Sequence, residues 1–247
     1  MIGIPDIIEG VVDSMKSPSI RKHSFIGVSG IEYIDLYIDK TTLINVDDKV
    51  FLINNSGTEF ELTVTNVYDT KYWGVVSGTN VNFCLKIRVL KSVFTGIPTT
   101  LNIKLYFLHG HPLEIVNTLS RKASSHYYRG RRFPLFALYQ DIEEQSDING
   151  YEREANITII IAVQTNRDFD APTRQDTSFD AVLYKLYEEF IYHLKKSQYI
   201  ASNIPQPNRT DRMYWGRNGL YGNEGNVFNE YIDAIEINDL NLKIINT

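Results

Sequence analysis

The residues of this chain that could do chemistry are few and scattered. His109 and His111 stand two apart, a spacing that puts both on one face of a strand, but no third ligand of matching spacing follows. They read as the polar end of a strand before a turn at Pro112. His193 falls beside the exposed face of a helical pattern and reads as solvated. Cys84 is the single cysteine, which excludes an intrachain disulfide and any cysteine-rich metal site; in a strand pattern it reads as a small core residue. Asp141, Glu143 and Glu144 are close enough for general acid and base work, although a solvated strand end accounts for them equally. Gly216, Gly219, Gly222 and Gly225 recur at every third position, without the preceding strand and following helix that a phosphate-cradling loop needs. No G-x-S-x-G, Walker A, G-x-G-x-x-G or H-E-x-x-H motif occurs. The expectation is a protein that is not an enzyme and holds neither metal nor cofactor.

One basic cluster stands out. Arg121, Lys122, Arg129, Arg131 and Arg132 put five cations into twelve residues of a chain whose formal net charge is −5. With Tyr127 and Tyr128 interleaved, they suit contact with nucleic-acid phosphates. A solvated turn or an intersubunit salt-bridge surface explains them as well.

The elements that would carry these residues follow from hydrophobic spacing. Ile4, Ile7, Ile8, Val11, Val12 and Met15 share one face of a helix, with Pro5 in its first turn and Pro18 as its stop. Three turns do not survive alone, so this face must dock. Period-two runs follow: 33–39, 50–53, 60–65, 83–89 and 101–106. Turn residues punctuate them at Asn54-Asn55-Ser56-Gly57, Ser77-Gly78 and Gly96-Ile97-Pro98, as in a small antiparallel barrel or sandwich of SH3-like or OB-like type. Helical spacing returns from Pro112 to about Ala123. Two strands are expected at 133–142 and 155–165, joined through Asp147-Ile148-Asn149-Gly150 as a hairpin. A long helix is expected at 179–197, capped by Asp176, Thr177 or Ser178. Residues 201–230 show neither period, and a thirty-residue loop in a compact domain is expected only where it is functional or orders on a partner. Residues 231–244 alternate as one or two closing strands.

The organisation that emerges is α+β, an antiparallel or mixed sheet packed by helices, with an inserted all-β subdomain. Residues 1–19 form a helix packing with the C-terminal domain, 20–106 the insertion, and 107–247 the α+β domain with its loop at 201–230. Over 247 residues, 43 % hydrophobic and 22 % charged, the composition is ordinary and large enough for one or two cores. No apolar run approaches the ~18 residues of a membrane span. The opening MIGIPDIIEGVVDSM has no basic n-region, so a soluble protein made in the cytosol is expected.

The order of the C-terminal segments carries a resemblance. Phe133-Pro134-Leu135-Phe136-Ala137-Leu138-Tyr139-Gln140-Asp141-Ile142, then Ile157 to Ala162, the long helix and Val227 to Ile237 together resemble the tail-terminator and tail-completion family of tailed bacteriophages, which includes neck proteins of the head–tail junction. The likeness covers about residues 107–247 and the first helix; the β block and the Gly/Asn-rich loop depart from it. It implies a structural subunit in a homo-oligomeric ring of about six or twelve copies around the DNA channel, bound to neighbouring portal, connector or tail proteins. It also implies a virion location at the head–tail junction after assembly in the host cytoplasm, without membrane contact. In such a ring Arg121, Lys122, Arg129, Arg131 and Arg132 could touch DNA phosphate or a neighbouring subunit. Arg209, Arg212, Tyr214, Trp215, Arg217 and Tyr221 could belong to an arm that clasps a partner. The alternative is a nucleic-acid-binding protein that uses an OB-like barrel and the basic segment.

Overall fold

The computed structural model describes residues 3–39, 41–72, 82–124, 132–146, 152–201, 204, 207–215 and 231–245. Among the described residues it is a mixed α+β fold, mostly strands, with two sheets and three helices. The chain divides into two compact units, Ser14–Lys104 and the combination of Met1–Asp13 with Leu105–Thr247.

In the first unit, period-two alternation sends every second residue into a core. Ile34, Leu36 and Ile38 of β2 (Ile31–Asp39) and Leu85, Ile87 and Val89 of β5 (Asn82–Leu90) are buried. The other strands are β1 (Ile20–Val28), β3 (Lys49–Asn54), β4 (Glu59–Tyr72) and β6 (Pro98–Ile103). They form one antiparallel sheet in the order β1-β2-β5-β4-β3-β6. The β1–β2 turn places Ser29 at φ +52° and Gly30 at φ +82°, the mirror-image turn that matches strand twist. At the β3–β4 turn, Asn54 Oδ1 accepts the Ser56 and Thr58 backbone N–H groups at 3.1 and 2.8 Å, as the turn residues predict. β4 is shared: its first residues pair with β3, and after a bulge between Val64 and Asn66 it pairs with β5. The outermost strands β1 and β6 come into contact. A flat six-stranded sheet would hold them roughly 24 Å apart, so this sheet curls.

The expected run 101–106 is in fact two strands. β6 ends at Ile103 on the β3 edge, whereas β7 (Tyr106–Gly110) starts in the second sheet. Alternation continues across Lys104 and Leu105, but hydrogen-bonding partners change there, and periodicity carries no information about partners.

The second unit holds a five-stranded sheet in the order β10-β11-β9-β8-β7, from β8 (Leu135–Ser146), β9 (Glu152–Gln164), β10 (Asn208–Arg212) and β11 (Ile232–Ile245). All pairs are antiparallel except β7 with β8, which α2 (Pro112–Ser124) joins as a crossover. Both faces of the sheet are apolar. Ile115, Val116 and Leu119 of α2 pack on Leu135, Ala137, Ile160, Ala162, Ile232 and Ala234. The opposite face meets the third helix, with Phe136 and Phe190 rings 5.5 Å apart. Fully burying side chains of this size contributes about 1.5–3 kcal/mol each. In α1 (Ile4–Lys16) the predicted apolar face is buried, from Ile4 to Met15.

Two expectations change here. The long helix, α3, begins earlier than its apolar stripe. It opens at Ala171–Arg174, runs as π-helix over Gln175–Leu183 and ends as α-helix over Tyr184–Lys196. Its cap is Asp170, whose carboxylate accepts the Thr173 N–H at 2.9 Å, with Pro172 in the first turn; Asp176, Thr177 and Ser178 lie inside the helix. A π segment breaks the 3.6-residue period, so the stripe is unreadable there. Residues 201–230 are not one loop, since β10 lies within them. Its sequence, NRTDR, is polar throughout and is held by its ladder to β11 instead of by burial. The closing run, expected as one or two strands, is the single strand β11, with a register shift between Ile237 and Leu240 and Asp239 at φ +52°. The predicted turns at Ser77-Gly78 and Asp147–Gly150 lie outside the described residues.

Candidate functional site

Asp233 is an acid inside an aliphatic strand, and β11 places it under α3 with no exposed surface. A carboxylate there is tolerated only when hydrogen bonds and a cation replace its water. The π segment and the turn before it supply both. Ser178 Oγ donates to Asp233 Oδ2 at 2.7 Å, and Arg174 Nη1 lies 3.3 Å from Oδ1. The Tyr214 backbone N–H donates to the same Oδ1 at 2.7 Å. Arg174 is also buried. It donates to Thr165 Oγ1 at 2.9 Å and to the carbonyls of Phe169, Asn166 and Arg167 at 3.0, 2.5 and 3.3 Å. Every guanidinium N–H is thereby engaged.

This cluster sits beside Tyr214 and Tyr231, on either side of residues 216–230 in sequence. Tyr214 adopts φ +51°, in the left-handed region, and its ring stacks on Tyr231 at 5.3 Å and 11°. The Arg174 guanidinium lies 4.6 Å from the centre of the Tyr214 ring. The Trp215 N–H donates to the Ile232 carbonyl at 2.8 Å, and the Thr165 N–H donates to the Tyr231 carbonyl at 3.0 Å. Both ends of the segment are fastened side by side.

The register of β10 sends its two arginines to opposite faces. Arg212 lies over the α2 face, where Nε and Nη2 reach Glu236 Oε2 at 2.9 and 2.6 Å beside the Trp215 ring. Burial first, and then Glu236, push the Tyr139 phenol well above its ordinary range. Arg209 lies on the α3 face, 4.8 Å from the Tyr184 ring and 5.3 Å from the Tyr187 ring. Its Nε is 3.2 Å from Asp211 Oδ1, and Asp211 Oδ2 accepts the Tyr184 hydroxyl at 2.8 Å. Gln175 works to lower the Tyr184 phenol, but burial and Asp211 outweigh it and raise its pKa. Beside Arg209 a groove of about 460 Å³ runs between Tyr187, Ile191, Tyr192, Ile204 and Pro207.

Of the sequence-predicted residues, Arg209, Arg212, Tyr214 and Trp215 therefore lie on or just after one edge strand. Arg217 and Tyr221 lie outside the described residues, as do Arg129, Arg131, the glycine repeat and the side chains of Arg121, Lys122, Asp141 and Cys84. Arg132 is 5 % exposed, with its guanidinium 5.9 Å from the Phe133 ring, so within this fold it does not present itself to a phosphate. Glu144 is not a bare solvated strand end, because it holds the buried Arg153 at 2.8 Å. His193 is only partly exposed and sits 3.7 Å from Glu189, where burial lowers its pKa. Among the described residues no three His, Cys, Asp or Glu side chains are arranged to hold a metal, and no helix is long and apolar enough to cross a membrane.

Sequence reasoning passed over Arg174, Ser178, Asp233 and Glu236. The signal for Asp233 was present, since an acid within Tyr231-Ile232-Asp233-Ala234-Ile235 demands a buried partner. Set against models of known protein families, curated proteins and solved structures, the chain matches none of them. The functional reading rests on its own residues.

Proposed function

We propose that this chain is a structural subunit of a ring at the head–tail junction of a tailed bacteriophage, a tail-terminator or neck protein without catalytic activity. The observation that carries the reading is the Tyr214–Tyr231 stack over the Arg174–Asp233 pair, which clamps together the described residues flanking positions 216–230. Such a clamp suits an arm that reaches a neighbouring subunit while its base stays fixed, because ordering two short anchors in advance lowers the entropic cost of docking.

The rest of the unit supports the same reading. The resemblance to tail terminators implies a sheet packed by helices, and this unit has a sheet with helices against it. Arg209 and the aromatic groove beside it form a second surface for a neighbour, with tyrosines of the kind enriched at interfaces. In a ring the two contacting surfaces differ and close by rotation. Each junction needs ~1,600 Å² of buried surface for stable association.

Mass photometry and negative-stain imaging of the purified full chain test this. Closed rings, formed alone or with portal and tail proteins, are the expected result. A strict monomer with no affinity for any virion component overturns it.

A further inference from the structure

The outer face of the curled sheet carries a row of four side chains drawn from four strands. Lys22 of β1 stands opposite Tyr37 of β2, Tyr37 opposite Lys86 of β5, and Lys86 opposite Tyr68 of β4. Cation and aromatic ring therefore alternate across the sheet. Lys22 and Lys86 each lie 5.9 Å from the Tyr37 ring, and Lys86 lies 5.4 Å from the Tyr68 ring. The neighbouring row adds Arg88, bonded through Nε and Nη2 to Asp35 at 2.6 and 2.9 Å, and Tyr33 lies 5.5 Å from that guanidinium.

Charge on this face is unbalanced. Asp35 is shared by two cations, Arg88 at 2.6 Å and Lys86 at 2.9 Å; Asp39 is answered by Arg21 at 2.7 Å, and Glu32 by Lys91 at 2.9 Å. Lys22 and one positive charge of the Lys86–Asp35–Arg88 cluster remain in excess, within a chain whose net charge is −5. A solvated sheet face on an acidic protein has no need of that excess. Three tyrosines with cations between them match a ligand that alternates flat rings with anions.

We propose that this face of the all-β unit binds single-stranded nucleic acid without reading its sequence, stacking bases on Tyr37 and Tyr68 and setting phosphates against Lys22 and Lys86. A duplex hides its ring faces in the stack, so only an unpaired strand offers both features. A neutral glycan offers rings but leaves the excess positive charge unanswered. Four adjacent strands span roughly 14 Å, which accommodates two or three nucleotides. This site is independent of the ring reading and of residues 121–132.

The test is fluorescence anisotropy of labelled dT20 and rU20 with the full chain over a salt series. Two phosphate contacts predict a slope of log affinity on log salt near −1.4, which Lys22→Ala reduces by about 0.7. Tyr68→Ala weakens binding roughly 5- to 150-fold and Tyr68→Phe restores it. Tyr68 and Lys22 are both exposed, so these variants fold, and circular dichroism verifies it. The dT20 and rU20 arms show whether DNA or RNA is preferred. The proposal is overturned if neither strand binds at low salt, if Tyr68→Ala binds like the parent, or if duplex, heparin or a neutral oligosaccharide binds as well as dT20.

Discussion

Arg174 and Asp233, 59 residues apart in sequence, meet at 3.3 Å with both side chains out of contact with water. Their attraction alone does not offset the desolvation of two charges; the surrounding hydrogen bonds from Ser178, Tyr214 and to the carbonyls of residues 166–169 close the balance. The pair therefore acts as a latch whose parts depend on one another.

Removing one half of that latch leaves the other charge buried. Asp233→Asn and Arg174→Met are each expected to lower stability in urea unfolding by about 3–5 kcal/mol. The double variant Arg174→Met, Asp233→Leu should lose clearly less than the sum of the two. Strict additivity would show that the residues do not act as a unit.

The stack of Tyr231 on Tyr214 should matter more for residues 216–230 than for the fold. Tyr231→Ala is expected to cost about 0.5–1.5 kcal/mol beyond its lost burial and to speed limited proteolysis within 216–230. Tyr231→Phe keeps the stack and should cleave at the parent rate. Equal rates for all three would remove the clamp from the account.

Asp35 supplies a dependence on acid. Burial works to raise its pKa, but hydrogen bonds and charge from Arg88 and Lys86 prevail and hold it below the ordinary carboxylate value. A depressed folded value means that the unfolded chain binds the proton more readily. The contribution is therefore full above the unfolded value of ~3.9 and is lost as pH falls through the lower folded value. Because Lys86 and Arg88 keep access to water, Asp35→Asn is expected to cost roughly 1–3 kcal/mol at pH 7. The gap between parent and variant should narrow steadily below about pH 4. A gap that widens in acid would contradict the assignment.

His193 acts in the same direction at a higher pH. Burial lowers its pKa more than Glu189 raises it, with Lys196 adding to the lowering. The unfolded chain takes up the proton first, so stability rises with pH through the window just below 6.5 and is fully present above it. His193→Gln should flatten thermal stability between about pH 5.5 and 6.5 without lowering it at pH 8. An unchanged slope would place the dependence elsewhere.

Much of the architecture was legible because burial on one side of an element leaves a period in the sequence. The faces of α1, β2 and β5 follow from spacing alone, and the Asn54 and Gly96 turns from residue type. Elements that draw stability from something else were hidden. β10 is a strand only because β11 offers it hydrogen bonds, and the start of α3 departs from the 3.6-residue period because it is π-helical.

By itself the sequence determined which residues must leave water, that turns fall at Asn54 and Gly96, and that an acid at position 233 requires a partner. The tertiary structure alone decided who that partner is, that Arg209 and Arg212 point apart, and that Lys22, Tyr37, Lys86 and Tyr68 stand in one row. Periodicity is a local property, set by how one strand or helix meets a core. Pairing across strands is settled by the closure of the whole sheet, and no window of neighbouring residues contains it.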